Sequence, residues 1–294
     1  MNKIIARMRG GLGNQLLILA FAYKIMSDMN FKDCELVLDT REYSHYKTRG
    51  FEVLQLINDN NIRVYDKTRD KNYYYDITRC CYHLIQKFLP NNLELSKKMT
   101  SLGLFYSKRS ARGYFLPRKN KTIFLYGYFQ DAEMAFSVRN IILSKIMDIP
   151  EKIRLASEKK YIAVSVRCGK DYIDYGWPIC SEDYFKDSVR EIVNEKYLDK
   201  PFEILIFSDD IDRAKKMNIS TNCKYIEGAS SIEQLYLMMQ CCDFVLSNSS
   251  FSWWGAFLGL KNDSIIIAPD CWYDIHDKTQ NGLLIYPSMR IRKI

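Results

Sequence analysis

Short, continuous apolar runs alternate with amphipathic stretches through residues 160–270. "YIAVSV" (161–166), "EILIFS" (203–208), "KYIE" (224–227), "DFVLS" (243–247) and "SIIIAP" (264–269) each read as a strand with both faces buried. Between them lie helical patterns. "SEDYFKDSVREIVNEKYL" (181–198) places Tyr184, Phe185, Val189, Ile192 and Val193 on one face, and "DIDRAKKM" is also helical. "SSIEQLYLMMQCC" opens with Ser230 and Glu233 at capping-box spacing and repeats its apolar positions at Ile232, Leu235, Tyr236 and Met239. "FSWWGAFLGL" is a further helix. Continuous apolar strands alternating with helices predict a parallel sheet covered on both faces.

The N-terminal half begins in the same way. "KIIARM" reads as a strand, residues 14–29 as a helix and "CELVLD" (34–39) as a second strand. Residues 40–120 are rich in tyrosine and basic side chains and show no clean period, and "KTIFLYGYFQD" (121–131) then restores a strand and turn. Pro150, followed by a charged, helix-like stretch to Lys160, marks a boundary. The pattern predicts two α/β domains, 1–150 and 151–294, in which no internal repeat is visible.

Composition narrows the class. With 47% hydrophobic and 27% charged residues the chain is globular, and its net charge of +8 favours an anionic partner: a nucleotide, a phospholipid surface or a nucleic acid. Nine cysteines and three histidines match no zinc spacing, so the cysteines read as reduced, small apolar fillers in a cytosolic protein and no metal is expected. The apolar run from Leu16 to Met26, broken by Lys24, is shorter than the ~20 residues a membrane span requires, and its flanks do not suit a signal peptide. A soluble, cytoplasmic protein is expected. Between Ser96 and Lys121 there are lysines or arginines at 97, 98, 108, 109, 112, 118, 119 and 121 and no acid, interleaved with Leu104, Phe105, Tyr106, Tyr114 and Phe115. This segment reads either as a solvated face or as a patch for anionic head groups or a diphosphate-linked acceptor.

In open α/β sheets ligands sit beyond the carboxyl ends of strands. After "YIAVSV" comes "RCGKDYIDYGWPIC", where Arg167 can grip phosphate oxygens with two parallel hydrogen bonds and Gly169 allows close backbone approach. A structural Arg–Asp pair is the ordinary alternative. After "EILIFS" come Asp209 and Asp210, which could contact a base or ribose; Asp210 and Asp212 have the spacing of a metal-binding pair, and helix capping is the simpler alternative. After "DFVLS" comes "NSSFSWWGAFLG", in which Asn248, Ser249, Ser250 and Ser252 crowd a helix N-terminus suited to an anion, and Trp253, Trp254 and Phe257 can anchor that helix. Near the start, Gly10, Gly11 and Gly13 separate a strand from a helix. Their spacing is not that of a dinucleotide fold, because Asn14 and Gln15 follow.

Together these stretches resemble the bacterial α-1,2-fucosyltransferases of glycosyltransferase family 11. The resemblance runs from "GGLGNQL" through "YGYFQD", "VSVRCGKDY", "PICSEDYF" and "IFSDD" to "LSNSSFSWWGAFLG". It implies a GT-B-like enzyme of two Rossmann-like domains facing a cleft. The C-terminal domain would hold GDP-fucose, and the N-terminal domain would hold much of the acceptor and supply the glycine-loop lip. Arg167 matches the first arginine of the family's H-x-R-R-G-D motif and would contact the diphosphate. Ser249, Ser250 and Phe251 match the loop around the phosphates and nucleoside, Asp209 falls in the guanosine-contacting F-S-D-D segment, and Gly11, Gly13 and Asn14 match the loop that closes on the donor. Three departures from the motif stand out. Ser165 replaces the histidine, Cys168 replaces the second arginine, and Lys170 is an extra residue before Asp171, with reach to the same phosphates.

The implied reaction is a single inverting displacement from GDP-β-L-fucose to the 2-hydroxyl of a galactose in a surface polysaccharide or oligosaccharide. Arg167 and the Ser249–Ser250 turn would stabilise the departing diphosphate, no cofactor or metal is required, and Asp171 and Asp174 are the candidate bases. The acceptor is a galactose-terminated glycan, lipid-diphosphate-linked or free. The 97–121 segment would allow peripheral contact with an anionic membrane on the inner face of a bacterium. The alternatives are another inverting nucleotide-sugar transferase and, from a different class, a non-enzymatic binder of anionic surfaces or nucleic acid. The aromatic spacing in 97–121 lacks the pattern of an RNA-binding sheet, so nucleic acid is not an expected partner.

Overall fold

The computed structural model describes residues 2–45, 49–71, 73–88, 98–107, 114–117, 122–272 and 282–294. They form two compact units, Met1–Met147 and Asp148–Ile294.

The first unit is built on a parallel sheet of β1 (Asn2–Arg7), β2 (Cys34–Asp39), β3 (Ile62–Val64), β4 (Leu104–Ser107) and β5 (Thr122–Gly127), in the order β3-β2-β1-β5-β4. Ile4 pairs in register with Leu36 on one side and Ile123 on the other. The first helix, Leu12–Asp28, starts two residues earlier than its pattern predicts, because Gly11 takes the N-cap position in extended backbone. Gly13 is therefore a buried helical residue rather than part of a loop. Gly10 makes the turn itself at φ +72°, a left-handed conformation that favours glycine.

Residues 40–120 hold more regular structure than their pattern suggests: β3, β4 and a helix, Tyr73–Phe88. The core-facing residues of that helix include Tyr75 and Tyr82, whose rings pack on Phe124 (4.6 Å between centroids) and Tyr106 (5.2 Å). Tyrosine is half polar, so a helix that buries tyrosines hides its apolar period. Of the eight basic positions between 97 and 121, only Lys98 lies within the described residues.

The second unit is a six-stranded parallel sheet ordered β11-β10-β9-β6-β7-β8. Its strands are β6 (Lys160–Val166), β7 (Phe202–Ser208), β8 (Cys223–Tyr225), β9 (Asp243–Val245), β10 (Ile266–Pro269) and β11 (Met289–Arg292). The pattern missed β11, an edge strand that alternates apolar and charged residues. Its Arg290 bonds to Glu191 and Glu195, and its Arg292 to Glu191, on the helix Glu182–Lys196. That helix buries Tyr184, Phe185, Val189 and Ile192, with Val193 partly covered.

The capping box of Ser230 and Glu233 is formed at the start of the helix Ser231–Gln240. Its fourth buried position is Met238 rather than Met239. The reason is a close packing against the helix Ser250–Gly259: a Cβ on Gly255 would lie 2.6 Å from Met238 Sδ, so the missing side chain makes room for Met238. The stretch after Pro150 is a single 3-10 turn, Glu151–Ile153, and not a longer helix, since no apolar face there calls for one.

All nine cysteines are free thiols. Five are buried as expected of apolar fillers, but Cys80 and Cys81 are exposed on the tyrosine helix. Among the described residues no helix is long and apolar enough to cross a membrane.

Gln15 holds the first turn of the first unit. It is fully buried, donates to the carbonyls of Gly10 (3.1 Å) and Gly50 (2.8 Å), and accepts from the amides of Glu52 (2.9 Å) and Val53 (3.0 Å). Gln15→Ala should remove four hydrogen bonds to the backbone, two of them fully buried, and destabilise this unit by about 2–3 kcal/mol. Hydrogen exchange should show the Glu52 and Val53 amides losing protection, and unchanged protection would refute this role.

Candidate functional site

Strand order locates the site in the second unit. From β6 the chain proceeds to β7 on one side and later to β9 on the other, so the order reverses between β6 and β9. Open α/β sheets bind ligands at such a switch point, beyond the carboxyl ends of the strands. Two loops leave the sheet there: Arg167 to Cys180 after β6, and Leu246 to Ser249 after β9. They are tied together. Tyr172 donates its hydroxyl to the Asn248 carbonyl at 2.7 Å, and the Ser165 and Ser247 hydroxyls lie 3.5 Å apart beneath them.

Arg167 follows directly on β6 and is held between two carboxylates. Nη1 donates to Asp209 Oδ2 at 2.6 Å and Nη2 to Asp171 Oδ2 at 2.5 Å. Its guanidinium lies 4.7 Å from the centroid of the Tyr172 ring, and its side chain retains 15% exposure. Asp209, at the end of β7, also accepts the backbone amides of Cys168 (2.9 Å) and Gly169 (3.0 Å). A Cβ on Gly169 would lie 2.1 Å from Asp209 Oδ2, so this grip requires glycine. The structural Arg–Asp pair considered from the sequence is thus present. It leaves the guanidinium oriented and partly open rather than burying it.

The neighbouring acids divide as capping chemistry dictates. Asp210 caps the helix Ile211–Lys216, accepting from the Arg213 amide at 3.0 Å, while Asp212 is exposed. Asp209 is committed to the Arg167 loop through three hydrogen bonds. Cys168, in the place of the motif's second arginine, points inward. It is buried, with Sγ 3.7 Å from both Ser208 Oγ and the Asp210 carbonyl, and burial raises its pKa. Lys170 and Asp174 are exposed at the two ends of a short helix, Lys170–Asp174, and neither joins the Arg167 cluster.

The turn after β9 ends in the N-terminus of the helix Ser250–Gly259. Ser249 is the N-cap residue, but its hydroxyl makes no capping bond, so capping does not account for it. Ser252 is spent internally, donating to the Ser249 carbonyl at 3.0 Å. Trp253, Trp254 and Phe257 are fully buried and fix the helix, with Trp253 Nε1 donating to the Leu284 carbonyl at 2.6 Å. Asn248 is buried and structural, donating to the carbonyls of Pro178 and Trp272. Ser249, Ser250 and Phe251 remain half-exposed at the helix start. First-turn amides of a helix have no partner within it and attract anions. An oriented guanidinium, linked to such a helix start through the Tyr172 ring and its hydrogen bond to Asn248, has the chemistry to hold phosphate oxygens.

The first unit has a switch point of its own, between β1 and β5. There Gly10 and Gly11 precede the helix, and Asn14 Oδ1 accepts from Gln130 Nε2 at 3.3 Å. Arg9 lies 4.9 Å from the Tyr128 ring centroid and pairs with Glu42 at 3.1 Å. Sequence reasoning did not single out Tyr172 or Gln15. Tyr172 follows an acid in a short polar loop and Gln15 sits among leucines, so neither carries a spacing signal of its own.

Comparisons with known proteins identify the family and the fold. Residues 106–284 match the family description "Glycosyl transferase family 11". An alpha-1,2-colitosyltransferase of Escherichia coli is 29% identical, with 93% of each chain covered. The O-antigen biosynthesis glycosyltransferase WbnK of Escherichia coli is 27% identical, covering 93% of this chain and 96% of that one. Among solved structures, the fucosyltransferase NodZ from Bradyrhizobium superposes with a TM-score of 0.54 at 17% identity, covering 87% of this chain and 92% of that one, which supports a GT-B fold. NodZ has also been crystallised after soaking with GDP-fucose. The family match spans more than half of the sequence and includes the whole Arg167–Ser249 site, so this chain belongs to glycosyltransferase family 11 and is a glycosyltransferase.

Proposed function

We propose that the protein transfers L-fucose from GDP-β-L-fucose to the 2-hydroxyl of a galactose in a glycan acceptor, acting in the cytoplasm in O-antigen or other surface-polysaccharide assembly. The observation that carries this reading is the bracketed guanidinium of Arg167, tied through Tyr172 to the turn that leads into the Ser250–Gly259 helix, where the Ser249 hydroxyl makes no capping bond. The names of the WbnK, colitosyltransferase and NodZ relatives support the sugar class and the setting. When the glycosidic bond breaks, charge grows on the leaving diphosphate. A fixed cation and aligned amides stabilise that charge more than the ground state.

The two carboxylates on Arg167 have different tasks on this reading. Asp209 is locked by two amides and keeps the guanidinium aimed. Asp171 is the more exposed of the two, and a phosphate oxygen can take its place on Nη2. Displaced from the arginine, the Asp171 Oδ2 would accept a proton from the acceptor hydroxyl. Lys170, exposed at the start of the same turn, adds a second cation for the diphosphate, and Ser249, Ser250 and Phe251 contact the phosphates and nucleoside. On this reading the charge of the leaving diphosphate is met by Arg167, Lys170 and the helix-start amides, with no metal required. The 29% identical colitosyltransferase favours a second reading of the donor alone, with colitose in place of fucose on the same scaffold.

Turnover with GDP-fucose, GDP-linked colitose, GDP-mannose and UDP-sugars on galactose-terminated acceptors, with the new linkage read by NMR, separates these readings. Fucosyl transfer in an α-1,2 linkage is expected, and exclusive use of another donor would overturn it. Arg167→Lys keeps a charge but cannot hold Asp209 and a phosphate oxygen together, so kcat should fall by ~10²–10³. A loss under threefold would remove Arg167 from the reaction. Activity should persist in excess EDTA. Strict dependence on Mn²⁺ would instead require carboxylate ligands such as Asp210 and Asp212.

A further inference from the structure

The loop that carries Arg167 also carries an aromatic surface that the donor site does not use. Helix Lys170–Asp174 ends in a Schellman turn. The Gly176 amide donates to the Ile173 carbonyl and the Trp177 amide to the Tyr172 carbonyl, each at 3.0 Å, with Gly176 at φ +64°. The apolar contact that usually accompanies this turn is present, the Trp177 ring standing edge-on to Tyr172 at 5.0 Å. That contact accounts for Tyr172 and Trp177. It does not account for Tyr175, which is 70% exposed and stacks on Trp177 at 5.2 Å and 27° between planes. Ile173, on the same turn, is 51% exposed. Exposed apolar side chains gathered on one short turn mark an interaction surface.

The position of this surface selects its occupant. Three successive contacts of 4.7, 5.0 and 5.2 Å run from the Arg167 guanidinium through Tyr172 and Trp177 to Tyr175. The Trp177 ring therefore lies within about 10 Å of the guanidinium and the Tyr175 ring within about 15 Å, a span of two to three pyranose rings. On the proposed function the acceptor is a galactose, an uncharged sugar that must be held near the phosphate-linked carbon of the donor. A galactopyranose has one face on which the C–H bonds at C3, C4 and C5 line up, and an aromatic stack offers that face a partner. Its hydroxyls need acceptors, and Asp171 and Asp174 stand on the same helix. We propose that the stacked rings of Tyr175 and Trp177, with the carboxylates of Asp171 and Asp174 on the same turn, form an acceptor subsite that receives the apolar face of a galactopyranose. This rests on the assignment of the donor diphosphate to Arg167 and adds to the second unit part of the acceptor binding that the family resemblance gives to the first.

Fluorescence gives a direct test, because Trp177 is 36% exposed whereas Trp253, Trp254 and Trp272 are buried. Acrylamide quenching therefore reports on Trp177. Lactose and N-acetyllactosamine should protect it saturably and maltose should not, and Tyr175→Ala should weaken the protection. In turnover, Tyr175→Ala should raise the acceptor KM roughly three- to tenfold, the effect of one lost aromatic contact, leave the GDP-sugar KM within twofold, and be rescued by Tyr175→Phe. Absence of protection by either galactoside, an unchanged acceptor KM, or an equal rise in both KM values would overturn the proposal. The quenching arm contains no nucleotide sugar. Protection without fucosyl transfer would leave this subsite standing and reject the fucose donor, whereas transfer indifferent to Tyr175 would do the reverse.

Discussion

The candidate site depends on one carboxylate. Asp209 directly follows β7, yet its hydrogen bonds to Arg167, Cys168 and Gly169 all go to the start of the loop after β6, forty or more residues away in sequence. The parallel register that sets Val166 opposite Ser208 brings the two strand ends together, and the carboxylate then gathers two amides and a guanidinium. A surface arginine on a mobile loop would give up side-chain entropy each time it met a phosphate. Held by Asp209 and backed by the Tyr172 ring, Arg167 has already lost that freedom. Gly169 is glycine for the same reason: any side chain there would occupy the volume of the Asp209 carboxylate.

A second group of contacts sets the helix against this arginine. Trp253, Trp254 and Phe257 sink the helix Ser250–Gly259 into the core, and Gly255 allows Met238 to close behind it. With the helix axis fixed by packing, its N-terminus is fixed too. The Tyr172 to Asn248 hydrogen bond then spans the two loops, and Asn248 is itself tied to the carbonyls of Pro178 and Trp272. Apolar burial thus supplies the rigidity, and a few directed polar contacts supply the aim. A preorganised electrostatic site needs both.

The legible parts of the sequence were those in which one residue type carries one physical demand. Buried parallel strands need continuous apolar runs, so β6, β7, β9 and β10 stood out, as did the paired tryptophans after the serines. Where a residue serves two demands, the pattern blurred. Tyrosines packing the helix Tyr73–Phe88 hid its period, and the alternating arginines of β11 concealed an edge strand whose charges are paired across to Glu191 and Glu195. Cys168 is a further case. Beside the family's motif it reads as a lost phosphate ligand, but its thiol faces Ser208 and the interior, so its substitution leaves the Arg167 bracket intact.

The sequence by itself determined the strand–helix alternation and the family to which the chain belongs, because these follow from local periodicity and from short motifs. Only the tertiary structure decided which of the acids does what. Asp209, Asp210 and Asp171 are alike in sequence, and no local signal separates a loop clamp from a helix cap or an exchangeable partner of arginine. Asp210 meets the Arg213 amide of its own helix and Asp171 meets Arg167 one helical turn away, whereas strand register brings Asp209 to the amides of Cys168 and Gly169. The grip of Asp209 is a property of strand register, which residues adjacent in sequence cannot express.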